Sequence, residues 1–154
     1  MSKFSVDLDK TRPSRYVFLA KLWDKRLKNF GDFIPIMLDT GAFNTVISKS
    51  LVSRHATMLN GTMPIAIGGY KLVANICIIQ RMNINGFTLH KIAALAVPFK
   101  GELKDHILLG ANVINNWEVT LSRQKHRLSA NEDVSAYRHI FNAKGQIMSF
   151  QELE

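Results

Sequence analysis

Residues 34–48 read IPIMLDTGAFNTVIS, an apolar run that ends on a carboxylate and a glycine before a second apolar stretch begins. Ile34, Ile36, Met37 and Leu38 read as a strand that delivers Asp39 to its end, and Val46 and Ile47 open another strand after the turn. A carboxylate set in such a run is costly to bury without partners, so the local structure must satisfy Asp39 or exploit it. Gly41 supplies backbone freedom for a sharp turn, and Thr40 a short hydroxyl for a local hydrogen bond. On this pattern alone, Asp39 and Gly41 also fit a plain polar turn between buried strands.

A second element lies downstream. Ile107-Leu108-Leu109 is short and wholly apolar, closed by Gly110, as expected of a central strand where another backbone passes close. Ala111-Asn112-Val113-Ile114 follows directly.

Together these elements resemble the retropepsin-like aspartic proteases, the family of retroviral proteases and their cellular and bacterial relatives. Asp39-Thr40-Gly41-Ala42 matches the catalytic signature, Thr45-Val46-Ile47 stands at the usual offset behind it, and Ile107 to Ile114 looks like the family's apolar-apolar-Gly strand and helix. The resemblance covers about residues 16–128 and implies an all-β acid-protease fold: closed, barrel-like sheets, a flap hairpin and one or two short helices. It implies catalytic roles for Asp39, Thr40 and Gly41, and substrate contacts from Ala42 and from Ile67, Gly68, Gly69 and Tyr70 of the flap. Neither metal nor cofactor is implied. The chain carries one such signature, whereas the chemistry needs two aspartates facing one water, so the resemblance also implies a symmetric homodimer with one Asp39 from each subunit. The expected activity is endopeptidase cleavage of extended polypeptides.

Two positions depart from the retroviral pattern. Where viral members commonly carry an acidic residue after DTGA and an arginine after the downstream glycine, this chain has Phe43 and Ala111. Losing both partners leaves no orphan charge, and the expectation is an apolar brace in their place. Asn112 matches the family and is expected to hydrogen-bond near Thr45.

The 154 residues as a whole fit a single domain long enough to bury a core without disulfides, with 47% hydrophobic and 21% charged residues. Cys77 is the one cysteine; it lies in an apolar run and is read as core, which favours a reducing, cytoplasmic location. The N-terminus lacks the apolar stretch of a signal peptide, and no run reaches the length of a membrane span. A net charge of +8 raises the question of nucleic acid, and basic residues cluster at Lys21, Lys25, Arg26 and Lys28 and at Arg123, Lys125, His126 and Arg127. No nucleic-acid motif accompanies them, so they are read as solvated strand ends and loops. His55 and His90 have no ligand partners at metal-site spacing.

Taken in order, Phe4 to Leu8 reads as an edge strand, Tyr16 to Trp23 as a strand, and Asp24 to Asn29 as an exposed turn. Ser48 is a plausible N-cap for a short helix carrying Leu51, Val52, His55, Met58 and Leu59 on one face. Thr62 to Gln80 reads as a hairpin tipped by Gly68-Gly69, and Asn85-Gly86 marks a second tight turn leading to a strand over residues 92–97. Glu118 to Ser122 and Arg127 to Ala130 are expected to pair. Residues 137–150 read as an added hairpin beyond the family's core, expected to pack either on its own barrel or across the subunit boundary, the boundary being favoured because an exposed strand edge near the termini invites uncontrolled pairing. The competing reading is a non-catalytic dimeric module of the same fold whose groove holds a peptide.

Overall fold

The computed structural model describes residues 3–12, 15–39, 41–67, 69–114, 118–121, 126–131, 140–142, 144 and 146. Eleven strands and two short helices are seen among them. In chain order these are β1 (Lys3–Asp7), β2 (Asp9–Arg12), β3 (Arg15–Asp24), β4 (Asn29–Leu38), β5 (Thr45–Ser48), α1 (Val52–His55), β6 (Ala56–Ile67), β7 (Tyr70–Ile84), β8 (Phe87–Val97), β9 (Ile107–Leu109), α2 (Ala111–Ile114), β10 (Glu118–Leu121) and β11 (His126–Asn131).

Eight strands pair in the order β2-β3-β4-β9-β5-β8-β7-β6, and β3 also pairs with β7 through Lys21↔Asn83 and Leu22↔Met82. That last pairing closes β3, β4, β9, β5, β8 and β7 into a six-stranded barrel, with β2 and β6 running beyond the ring. A separate three-stranded sheet, β1-β11-β10, carries the N-terminal strand as an edge. None of the described helices is long and apolar enough to cross a membrane.

The strands at the centre are apolar without alternation because both of their faces are covered. Along β8, Ile92, Ala94 and Ala96 join the cluster inside the barrel, while Ala93, Leu95 and Val97 join a second cluster on its outer side. The same division splits Ile47 from Val46 on β5, and Ile107 and Leu109 from Leu108 on β9. Strand periodicity therefore builds two cores from one wall. The outer cluster is roofed by Met63 of β6 and by Ile140 from the C-terminal segment.

The expected turns lie where the residues placed them. Ile67↔Tyr70 closes the β6–β7 hairpin, with Gly69 at φ +84°, and Ile84↔Phe87 closes the β7–β8 hairpin, with Asn85 and Gly86 both at positive φ. Glu118–Leu121 pairs antiparallel with His126–Asn131, as expected. Cys77 is fully buried, and burial pushes its thiol up to about 12, so it packs as an inert apolar group.

Three expectations are corrected. The helix on residues 51–59 is one turn only: a 3-10 turn at Lys49–Leu51 leads into α1, and from Ala56 the chain is strand, with Ala56↔Ile79, Thr57↔Ile78 and Met58↔Cys77. A ladder on β7 satisfies this backbone and continues the barrel, whereas an isolated short helix is marginal. Ser48 makes no side-chain cap; its Oγ lies 3.0 Å from Ser50 Oγ. The turn after β3 is exposed from Lys25 to Asn29, as expected, but Asp24 at its start is not: it is only 1% exposed, accepts hydrogen bonds from the N–H groups of Arg26 and Leu27, and pairs with Arg54 of α1. Within the basic cluster there, Lys21 lies over the Phe33 ring and Lys25 Nζ donates to the Ala56 carbonyl.

The expected C-terminal hairpin, residues 137–150, falls largely outside the described residues. Its described part shows a chain reversal, with Asn142 N–H donating to the Gln146 carbonyl. Ile140 is 0% exposed and packs in the outer core of its own barrel, so this residue is anchored within the monomer.

Candidate active site

Among the described residues, the loop between β4 and β5 is tied to β9 and α2 through backbone hydrogen bonds. Asp39 N–H donates to the Leu109 carbonyl at 2.9 Å, extending the β4–β9 ladder by one residue and fixing the aspartate beside the end of β9. Ala42 N–H returns to the Asp39 carbonyl at 3.2 Å. The first N–H groups of a helix lack partners of their own, and here those of α2 are used on the loop: Ala111 N–H donates to Ala42 and Asn112 N–H to Phe43.

Asn112 completes the brace from a buried position. Its Oδ1 accepts from both Thr45 N–H and Thr45 Oγ1, at 2.9 and 2.8 Å, and its Nδ2 donates to the Ala93 carbonyl at 3.0 Å. Thr45 Oγ1 in turn accepts from Gly110 N–H. The expected bond between Asn112 and Thr45 is thus present. The expected apolar brace is not: Phe43 is 51% exposed and its ring leans on Phe141, while backbone hydrogen bonds and the Asn112 amide do the bracing. Short backbone reach makes charged side chains unnecessary at these two positions.

Glycine's part is also redistributed. A β-carbon on Gly41 meets nothing nearer than Asp39 Oδ1 at 3.9 Å, and Gly41 is not in the left-handed region, so its smallness leaves the aspartate approachable rather than forcing the turn. Gly110 is the sterically required one, lying directly against the Asn44–Thr45 backbone.

Asp39, Gly41 and Ala42 line an open cleft of about 500 Å³ on the outer face of the barrel wall. Its floor is the apolar surface of Val46, Leu95 and Leu108, and one side is the β6 stem from Met63 to Ala66. Asp39 is the one ionisable side chain among the described lining residues. Among the described residues no group of three His, Cys, Asp or Glu side chains is placed to hold a metal, and His55 is committed to packing, its Nδ1 3.1 Å from the Trp23 carbonyl. Of the sequence-predicted site residues, Asp39, Gly41 and Ala42 come together in the cleft. Gly69 sits at the hairpin tip with open space around it. Thr40, Gly68 and the side chains of Ile67 and Tyr70 lie outside the described residues. Sequence reasoning missed Met63 to Ala66, although alternation along β6 signals that Met63 and Ile65 share a face, and it missed Asn44, Phe141 and Asn142.

A sequence profile described as "gag-polyprotein putative aspartyl protease" matches residues 31–116, more than half of the chain, spanning both β4 with its loop and β9 with α2. The chain belongs to this family of retropepsin-like aspartic proteases. Among solved structures, a retropepsin-like aspartic protease from Rickettsia conorii superposes with a TM-score of 0.57 at 17% identity, over 84% of this chain and 92% of that one. The foamy viral protease–reverse transcriptase in complex with an RNA/DNA hybrid aligns at 15% identity with a TM-score of 0.47, over 70% of this chain and 13% of that one. No curated protein matches significantly. The Rickettsia protein shows that the shared fold is the retropepsin-like one, and the family carries the general expectation of protease function.

Proposed function

We propose that the protein is an aspartic endopeptidase that acts as a symmetric homodimer, the whole chain forming one retropepsin-like domain. The observation that carries this reading is the placement of Asp39: a half-buried carboxylate, fixed by backbone to the end of β9, lining an open and largely apolar cleft of about 500 Å³. The mechanism proposed here uses two carboxylates facing one water, one as base and one as acid, and the chain carries one such signature, so the second is supplied by another copy of the chain.

At contact distance the two Asp39 groups share one proton. The ionised member takes a proton from the water between them, and that water attacks the scissile carbonyl. The protonated member donates a hydrogen bond to the carbonyl oxygen, and the roles reverse to expel the amine. Thr40 holds the paired loops together across the axis, and Gly41 leaves the carboxylates accessible to the peptide. The β6–β7 hairpin covers the substrate, its glycine tip bending and offering backbone N–H groups near Ile67, Gly68, Gly69 and Tyr70. A single buried, unreactive cysteine accords with work in the cytoplasm.

The test is cleavage of a denatured protein mixture from acidic to neutral pH by the wild-type chain and by Asp39→Asn, at several enzyme concentrations. The amide fills the same space but cannot take the water's proton, so cleavage is expected to vanish while fold and assembly stay intact. Specific activity of the wild type is expected to fall on dilution in step with dimer dissociation, followed by sedimentation. An active Asp39→Asn chain removes the paired-carboxylate mechanism. A chain that binds peptides without cutting them is the non-catalytic module instead.

A further inference from the structure

The C-terminal segment reaches the cleft from outside the region that the family profile matches, which ends at residue 116. It is seated there by a side chain of the active-site loop. Asn44 Nδ2 donates to the Phe141 carbonyl at 2.7 Å, and Phe141 N–H donates to Asn44 Oδ1 at 2.7 Å. One buried amide thus pairs with one residue's backbone as a strand neighbour would, satisfying both partners. On one side of this clamp Ile140 is sunk into the outer core; on the other, Asn142 closes a compact turn by accepting from the N–H groups of Lys144 and Gln146 through Oδ1. Phe141 is therefore fixed before and after in the chain. Its ring stands 6.5 Å from that of Phe43, tilted by 51°, and Phe141 and Asn142 line the cleft together with Asp39.

We infer that Asn44 latches the segment Ile140–Asn142 into the cleft as a fixed wall, and that Phe141 is a specificity-determining residue which reads a substrate side chain lying against the Phe43–Phe141 pair. The inference rests on the peptidase reading and deepens it. The pair presents apolar ring surface that is partly open to the cleft, beside a floor with no cation. A flat or branched apolar side chain buries that surface; an acidic one would be desolvated with no basic partner on the described lining. Asn44 touches no reacting atom in this scheme and acts by positioning Phe141.

The experiment uses the full chain and a peptide set that differs at one position at a time, carrying Phe, Leu, Ala or Asp. Wild type, Phe141→Ala, Phe141→Leu and Asn44→Ala are compared, each checked for folding by thermal melting. Phe141→Ala is expected to lose about tenfold of the preference for Phe or Leu over Ala at one substrate position, the size of effect a hydrophobic pocket contributes. The loss is expected in KM rather than kcat, and Phe141→Leu is expected to recover most of it. Asn44→Ala is expected to blur the same position's preference even though the ring is present. Unchanged preference in Phe141→Ala, with cleavage intact, overturns the inference. So does a uniform rise in cleavage of every peptide, which would make the segment a plug rather than a wall. Binding of uncleavable reduced-amide peptides, read by fluorescence anisotropy, separates the two levels: the same Phe141-dependent preference in a chain that cuts nothing keeps the wall and removes the peptidase reading.

Discussion

Gly110 and Asn44 pass so close that a β-carbon on Gly110 would stand 2.3 Å from both the carbonyl carbon and the oxygen of Asn44. The contact is backbone against backbone, so no side-chain rotation relieves it. Gly110→Ala must force β9 away from the Asp39 loop, breaking the bonds from Gly110, Ala111 and Asn112 to that loop. The expected cost is about 3 kcal/mol or more, at the upper end for overpacking. Gly41→Ala serves as the contrast, with an expected stability change below about 1 kcal/mol, because its β-carbon meets only ordinary contact. Thermal or urea unfolding of the two variants checks the difference.

Asn112 carries the second prediction. It is 3% exposed, and Asn112→Ala strands the Thr45 N–H and the Ala93 carbonyl inside the core. With about 1–3 kcal/mol for each unsatisfied buried group, a total loss near 3 kcal/mol is expected. Asn112→Asp keeps the acceptor facing Thr45 but turns a second oxygen on the Ala93 carbonyl. That variant should be unstable at neutral pH and regain stability in acid, where a protonated carboxyl donates to Ala93. Denaturation midpoints measured across pH separate the two substitutions.

Much of this arrangement was legible because local pattern and global role agree. Ile34 to Leu38 and Ile107 to Leu109 are unbroken apolar runs and both become strands, the second buried on both faces and the first burying Ile34, Ile36 and Leu38 with Pro35 and Met37 half-buried on the other side; Asn85-Gly86 makes the turn its residues demand. Gly110 was readable as a close approach, although the partner it approaches was not. Misreadings arose where a long-range pairing overrode a local signal. Leu51 to Leu59 has helical spacing, yet β7 offers a ladder to Ala56, Thr57 and Met58, and the helix stops at His55. The Asn44–Phe141 clamp spans 97 residues and joins a side chain to a backbone, so no periodicity announces it. Phe43 and Ala111 were correctly read as lacking the charged brace, but backbone N–H groups as its replacement leave no trace in residue identity.

Acid should loosen the junction between β3 and α1. Burial raises the proton affinity of Asp24, but the N–H groups of Leu27 and Arg26 and the Arg54 guanidinium outweigh it and hold the carboxyl below its usual value. A carboxylate whose folded value is depressed contributes stability that is complete above its unfolded value, about 4, and is lost as pH falls through the lower folded value. Asp24→Asn removes that contribution. Its stability curve should therefore lie below that of the wild type at pH 6 and converge with it in strong acid, as read by denaturant midpoints from pH 2 to 7. Curves that stay parallel throughout would mean that Asp24 does not titrate differently in the two states.

Ile140 decides whether the C-terminal segment serves the monomer or the assembly. Its side chain is wholly enclosed by a cluster that includes Val46, Met63, Leu95 and Leu108, the same residues that floor and flank the cleft. Ile140→Ala should cost about 2–5 kcal/mol, as for other buried isoleucines cut back to alanine. Truncation after Asn131 removes the side chain and also both backbone partners of the Asn44 amide, so the apolar floor meets water and a buried polar group loses its bonds. For a domain of this size a loss of about 3 kcal/mol corresponds to a fall of about 10 °C in melting temperature. Dimer dissociation, followed by sedimentation at temperatures where the shortened chain is still folded, should match that of the full chain. The opposite pattern, unchanged melting with dissociation at much higher concentration, would mean that the segment's energy is spent between subunits despite the burial of Ile140 within one.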